Sequence, residues 1–352
     1  MAMTATVLDD IRALYPTLLD RHELRQEIYA LVMKGVMNAS NPSTGIISPD
    51  VLQKASQSWG RNVDIPVMSI SSDANGTGLA CTFTGTEAVS ALATVTWVTV
   101  SNGFEMQPAK NFNNSISYQQ EFARKYADAI RAMAIAVNAS VDTALTAVIE
   151  GTYTSSYIGA GKKYGAIGAN DAIQVSLANR PDFFNDLVDI LASDDIFPRL
   201  DVLSSINMRG IVSQLFAQGD ANATNTAYQF QQGDFNFLFD KDVTVGAVAA
   251  TDASAYVMPE GAYGIVTRNS PDCLAGSKAG NHTWGTLFDP TLGMTMDTLY
   301  YDGCGDISTE SGNASDAAAK VERHQMAVHY GIVTPYENTQ SGVIRKLDLL
   351  TA

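Results

Sequence analysis

With 352 residues, of which 46% are hydrophobic and 17% charged, the chain can bury about three quarters of its unfolded surface in two core-bearing lobes, and its charged fraction lies below the roughly 25% usual for soluble domains. The net charge of −15 is unevenly placed: 63–105 carries four acidic residues and no Lys or Arg, and 213–316 carries thirteen acidic residues against three basic. Acidic surface repels phosphate, which argues against a sequence-specific nucleic-acid reader, while the low charge suits either a protein that hides surface in subunit contacts or a large enzyme with a generous core.

Residues 1–10 (MAMTATVLDD) lack the basic start and apolar centre of a signal peptide, and no apolar run approaches 18 residues, so no membrane span is expected. Cys81, Cys273 and Cys304 are odd in number and have no metal-type spacing; we read them as reduced residues of a cytosolic product. Asp20 and Glu23 form a capping box for a helix in which Leu24, Ile28, Leu31 and Val32 share a face, and Gly35 is placed to stop it. The stretch 38–49 (NASNPSTGIISP) then reads as a linker of turn formers.

Two stretches rich in β-branched residues follow, 62–69 (NVDIPVMS) and 91–100 (ALATVTWVTV), divided by a Ser/Asp/Asn/Gly-rich segment at 71–78. They predict a long antiparallel ribbon with a polar tip; an ordinary hairpin in a globular sheet has the same pattern. Next, 117–150 predicts one helix of roughly 50 Å. Ser117 caps it with Gln120 three positions on, a stripe recurs every three or four residues at Phe122, Tyr126, Ile130, Met133, Val137, Val141, Leu145 and Val148, and Gly151 ends it. This is longer than a compact core requires, so something elongated is being braced.

The stretch 155–168 contains GAGKKYGAIG. A phosphate loop needs Gly where Ser156 stands and Ser or Thr where Lys163 stands, so a glycine-rich hinge is the expectation. Beyond it, helices are predicted at 181–192 (Phe184, Leu187, Val188 and Leu191 on one face) and 206–218 (Met208, Ile211, Val212, Leu215 and Phe216 apolar, Gly219 after). Strands are predicted at 201–204, around Phe235, Phe237 and Phe239, and over 256–268 about a Pro259-Glu260-Gly261 turn. The loops 272–281 and 302–316 are richest in Gly, Asp and Ser. An extended segment at 320–334 alternates Val328, Tyr330 and Ile332, and 343–350 closes the chain as a short tail.

Catalytic chemistry finds little support. HExxH, GxSxG and CxxC are absent. Of His22, His282, His324 and His329, the last two fall on opposite strand faces and cannot share a metal. Asp302, Asp306 and Glu310 could approach a calcium ion, but the EF-hand pattern fails. No catalytic, cofactor-binding or metal-binding residue is therefore assigned, and no cofactor is expected.

NVDIPVM (62–68), NFNNSISYQQEFARKYADAIRAM (111–133), VDTAL (141–145) and YVMPEGAYGIVTR (256–268), in this order, resemble the major capsid protein of tailed bacteriophages, whose fold is shared with encapsulin shells. The resemblance implies an α+β fold with an N-arm at 1–49 that embraces a neighbour, an E-loop β-ribbon at 50–108, a P-domain with its spine helix at 109–168, an A-domain at 169–318 gathered around the symmetry axes, and a P-domain return strand and tail at 319–352. It implies self-assembly into pentamers and hexamers of an icosahedral shell around double-stranded DNA, put together in the host cytoplasm, with scaffolding, portal and decoration proteins as partners and no membrane. About sixty residues precede the ribbon, so scaffolding is expected to be a separate protein or absent. No lysine lies between Lys54 and Lys110, so the lysine–asparagine cross-link that some family members form on the ribbon lacks its donor. Replacing Trp97 with Asp is expected to harm assembly more than deleting 73–78. An encapsulin-like compartment and an unrelated acidic α+β enzyme or binding protein are the alternatives.

Overall fold

The computed structural model describes residues 29–40, 53–54, 63–68, 90–107, 118–165, 171–194, 196, 199–217, 229–232, 235–246, 251–276, 278–289, 292–304, 320–334 and 342–351. The capping box at Asp20 and Glu23, Ser117, the ribbon tip at 71–78, Gly219 and most of the loop at 302–316 lie outside these residues.

The first described helix, α1 (Ala30–Ser40), runs straight through Gly35 and into the expected linker. Gly35 stops nothing; its role is spacing. A Cβ there would lie 2.6 Å from Ile265 Cγ1 and 2.9 Å from the Tyr263 ring, so glycine lets the helix backbone approach strand β9 (Gly264–Arg268). Asn38, expected in a loop, is buried and donates from Nδ2 to the Tyr263 carbonyl at 3.0 Å.

Strands β1 (Asp64–Met68) and β2 (Ser90–Thr94) pair antiparallel as the expected ribbon. The predicted second strand is in fact two. After a break at Val95 and Thr96 the chain continues as β3 (Trp97–Met106), which belongs to a different sheet. Val95 is buried with Val63, Val266 and Val333, and its N–H bonds the Val63 carbonyl at 2.9 Å; pinning this residue is what turns the chain out of the ribbon.

The long helix α2 (Tyr118–Ala147) has 30 residues, about 45 Å at 1.5 Å per residue. The stripe from Phe122 through Leu145 is buried throughout, with Val148 partly buried beyond the end. Each such side chain contributes roughly 1.5–3 kcal/mol when removed from water. Gly151 is not the cap: the helix ends at Ala147, and a Cβ at Gly151 would lie 2.4 Å from Asp171 Oδ1. Glycine again answers a close approach.

Two larger sheets flank α1 and α2. The first has the order β10 (Lys278–Ala279), β11 (His282–Asp289), β12 (Met294–Cys304), β13 (Lys320–Val333), β3, with β9 also paired to β13. The second has the order β4 (Ala172–Val175), β14 (Arg345–Leu350), β8 (Thr251–Pro259), β5 (Leu200–Ser205), β7 (Phe235–Asp240), β6 (Gln229–Gln232). One core joins α1 and α2 to the inner face of the first sheet (Met296, Met326, Val328, Tyr330) and to one face of the second (Leu203, Tyr256, Met258). Another joins the opposite face of the second sheet to α3 (Arg180–Ala192) and α4 (Met208–Ala217). The layers are therefore α3 and α4, second sheet, α1 and α2, first sheet. The alternating Phe235, Phe237 and Phe239 do face the core, and Phe184 of α3 meets Phe237 edge-on at 5.5 Å.

Three expectations are redrawn by the topology. The stretch 343–350 is not a tail: β14 is inserted between β4, to which it is parallel, and β8, to which it is antiparallel. The turn at Gly261 (φ 87°) does not make a hairpin, because β8 and β9 belong to different sheets. The GAGKK stretch is not a free hinge, since Tyr164 is fully buried against Phe183 and Lys163 bonds Asp186 at 2.5 Å and Asp182 at 3.3 Å. The sheets thus cut across the segments 169–318 and 319–352: β9 to β12 join β3 and β13, while β14 joins β4 and β8.

Candidate assembly surface

Polar groups tie the layers together where apolar packing alone would leave their register loose. Lys34 of α1 lies 3.0 Å from Asp201 of β5, with side chains 6% and 2% exposed, and 3.6 Å from Glu260. Burial is the largest influence on Asp201 and pushes its pKa up; Lys34 and the Asn236 amide pull it back. The Leu31 N–H donates to Asp240, and the Tyr263 hydroxyl donates to the Leu31 carbonyl at 2.6 Å. On α2, Asn138 donates to both oxygens of Asp240 and to Asp242, and Asp142 accepts from the Thr244 hydroxyl at 2.6 Å and the Tyr256 hydroxyl at 2.8 Å. Sequence reasoning passed over this belt. Its signal was present: Asn138 and Asp142 fall four and eight residues after Ala134, on the row of Ala123, Ala127 and Ala134 that is buried beside the stripe.

The first sheet packs on α2 through one face only. There His324 stacks on Phe104 at 5.1 Å and meets Phe122 edge-on at 4.8 Å and Tyr300 at 4.9 Å. Burial in this aromatic cage lowers its pKa to about 4, against a smaller opposing pull from Glu322. Glu322 in turn bonds the Tyr118 hydroxyl at the start of α2.

The other face is covered at one end by Val63, Val95, Val266 and Val333 and over Asp297 by Asn269 and Ser270, and is open between them. Thr99, Ser101 and Gly103 of β3 and Arg323 and Gln325 of β13 are exposed on it. A row of rings crosses its rim: His282 stacks on Trp284 at 5.9 Å and meets Tyr301 at a tilt at 4.9 Å, and the Arg323 guanidinium lies 5.9 Å from the Tyr301 ring while bonding Glu105 at 2.9 Å. Phe288, on the same strand face, is 52% exposed. With its exposed rings and Phe288 at the rim, this part of the face has the character of a surface that pairs with another protein surface.

The residues weighed for other chemistry are not brought together. His324 and His329 point to opposite faces of β13, as expected. Asp302 pairs with Lys320 at 3.3 Å, whereas Asp306, Glu310, His22 and Cys81 lie outside the described residues. No group of three His, Cys, Asp or Glu side chains suited to a metal ion occurs among the described residues. Cys273 is a buried free thiol whose pKa burial pushes up to about 11, so it is held unreactive. Trp97 is half-buried, with the Arg268 guanidinium 4.1 Å over its ring. Replacing it would disturb intrachain packing, so it does not isolate a contact between subunits. No helix among the described residues is long and apolar enough to cross a membrane.

The chain is similar to solved phage and particle capsid chains. A chain from Mycobacterium phage Che8 aligns over 92% of this chain and 91% of its own length at 9% identity, with a TM-score of 0.49. A chain from the capsid structure of the cyanophage P-SCSP1u covers 84% and 85% at 10% identity and TM-score 0.45, and one from the capsid of a native GTA particle covers 87% and 92% at 15% identity and TM-score 0.45. No protein-family model matches the sequence, and no curated protein matches it.

Proposed function

We propose that the chain is a major capsid subunit that assembles with copies of itself into pentamers and hexamers of an icosahedral shell enclosing phage double-stranded DNA. The observation that carries the reading is the path of the chain: a two-stranded ribbon leads directly into the edge strand β3 of a sheet, the 30-residue helix α2 braces that sheet, and after the second sheet's helices the strand β13 returns to pair with β3 over Glu322–Gly331. This path supports reading the ribbon as an E-loop, α2 as a spine helix and β13 as a return strand, the order on which the sequence resemblance rests. A ribbon attached to a braced, one-sided sheet suits a wall element better than a pocket enzyme. In this proposal the acid-only ribbon lies across an adjacent subunit, and the open sheet face with Phe288 contributes a further contact. DNA is enclosed without a sequence-reading groove, and scaffolding, portal and decoration proteins act at assembly in the host cytoplasm.

Expression of the chain alone and with the products of its neighbouring genes, followed by negative-stain electron microscopy, tests the proposal. Hollow particles, tubes or five- and sixfold rings are expected. A monodisperse 37.6 kDa monomer under both conditions overturns it.

A further inference from the structure

Three polar side chains stand in a row on the face of the first sheet turned away from α2, across three neighbouring strands. Thr99 of β3 lies directly opposite His329 of β13, and its hydroxyl is 2.7 Å from His329 Nδ1. The other ring nitrogen, Nε2, is 3.2 Å from Asp297 Oδ2 on β12. Asp297 is itself held in place: Asn269 Nδ2 donates to Oδ1 at 2.8 Å and the Ser270 N–H donates to Oδ2 at 2.7 Å. Although burial acts to raise the Asp297 carboxyl, His329 and these donors together hold it below its usual value. A fixed carboxylate accepts a hydrogen bond from Nε2–H, which leaves Nδ1 as the acceptor for the Thr99 hydroxyl.

The row is graded in exposure as a nucleophile and its base require. Thr99 is exposed, whereas the His329 and Asp297 side chains are 13% and 5% exposed. Arg268 lies opposite His329 on its other side, across the β9–β13 pair, and so brings a cation to the same face. The indole under that guanidinium needs space that only glycine leaves, because a Cβ at Gly331 would lie 2.2 Å from Val95 Cγ1 and 3.6 Å from the Trp97 ring.

Hydroxyl, imidazole and carboxylate in this order form the array that activates a weak oxygen nucleophile, with the two ring nitrogens in exchanged roles. We propose that Thr99 is a nucleophilic acyl-acceptor site for activated carboxylic esters, with His329 as its general base and Asp297 as the group that orients and stabilises the imidazolium. In the step, Oγ1 forms a bond to the carbonyl carbon as its proton passes to Nδ1, the carbonyl carbon's bond to the leaving oxygen breaks, and that oxygen departs with the electron pair. His329 then releases the proton to water. The product is an ester of Thr99, and nothing is oxidised or reduced. The chemistry does not rest on the shell reading, which places the Phe288 part of the same face against a neighbour, so the unassembled chain is the form to test.

Incubation of the full chain with p-nitrophenyl acetate at neutral pH, following p-nitrophenolate release and mapping the acetyl group by peptide mass spectrometry, decides between a reactive array and a row of structural hydrogen bonds. A burst approaching one equivalent with the acetyl group on Thr99 is expected. Thr99→Ser should retain the burst, Thr99→Val should abolish it, and His329→Gln should slow it at least tenfold. Because removing His329 can loosen the sheet, Thr99→Val, a near-isosteric change of an exposed side chain, gives the decisive result. An unchanged burst in Thr99→Val, or acetylation confined to lysines and the amino terminus, overturns the proposal.

Discussion

The second sheet is covered on both faces, by α3 and α4 on one side and by α1 and α2 on the other, whereas the first sheet is covered by α2 on one face and only in part on the opposite one, where Thr99, Ser101, Gly103, Arg323 and Gln325 are exposed. Their sequences record the difference. In the second sheet every residue of β5 is buried, so even Asp201, Ser204 and Ser205 must find partners inside. In the first sheet β13 alternates buried and less buried positions over most of its length, the mark of a strand with one wet side. The doubly covered sheet supplies stability; the singly covered one can offer a surface to another molecule without unfolding anything.

If that division is right, substitutions should rank by which sheet and which face they touch. Phe237→Ala, fully buried in the second sheet against Phe184, is expected to cost about 3–5 kcal/mol in urea unfolding; a loss under about 1 kcal/mol would mean this core is not what holds the lobe. Lys34→Ala strands the Asp201 carboxylate between the layers and should cost about 3 kcal/mol, with Lys34→Met/Asp201→Leu recovering most of it. Should the single and double variants unfold alike, the pair has no role in locking α1 to the second sheet.

On the covered face of the first sheet, pH is the probe. The folded protein holds His324 neutral down to about pH 4, while the unfolded chain protonates it near pH 6.5, so the unfolded state binds more protons in that window. The stability is therefore fully present above about pH 6.5 and is lost as pH falls towards 4, by about 3 kcal/mol in all. Unfolding of His324→Phe measured from pH 7 to 4 should be flatter than wild type by that amount, and parallel curves would show that the cage does not discriminate against the charge. The smallest effect belongs to the open face. Arg323→Ala breaks a pair whose side chains are 55% and 41% exposed and should change stability by less than about 1 kcal/mol; a larger loss would mean that this face is not free of structural duty.

The elements were legible wherever one periodic pattern served one face. The stripe of α2, the Phe strand β7 and the alternating β13 each repeat the period of their backbone, and burial follows that period. Glycines misled for a consistent reason. Gly35 and Gly151 both read as helix terminators, and both serve instead where a neighbouring side chain arrives within 3 Å of the missing Cβ. The Asn138 and Asp142 belt was written in the stripe, but nothing local says that Asp240, Thr244 and Tyr256 would arrive to meet it.

The sequence by itself determined the presence and buried face of the long helix, the antiparallel ribbon, the inward phenylalanines and the order in which these occur, because each depends on neighbours a few residues apart. Only the tertiary structure decided that β2 and β3 belong to different sheets, that β8 and β9 part company at Gly261, that residues 345–350 are an internal strand, and that Thr99, His329 and Asp297 stand in a row. Strand partnership is a contact between residues far apart in the chain, 230 positions in the case of Thr99 and His329. An extended segment such as β14 carries no local mark of which edges will receive it, since its backbone donors and acceptors are satisfied equally well by any strand of matching register.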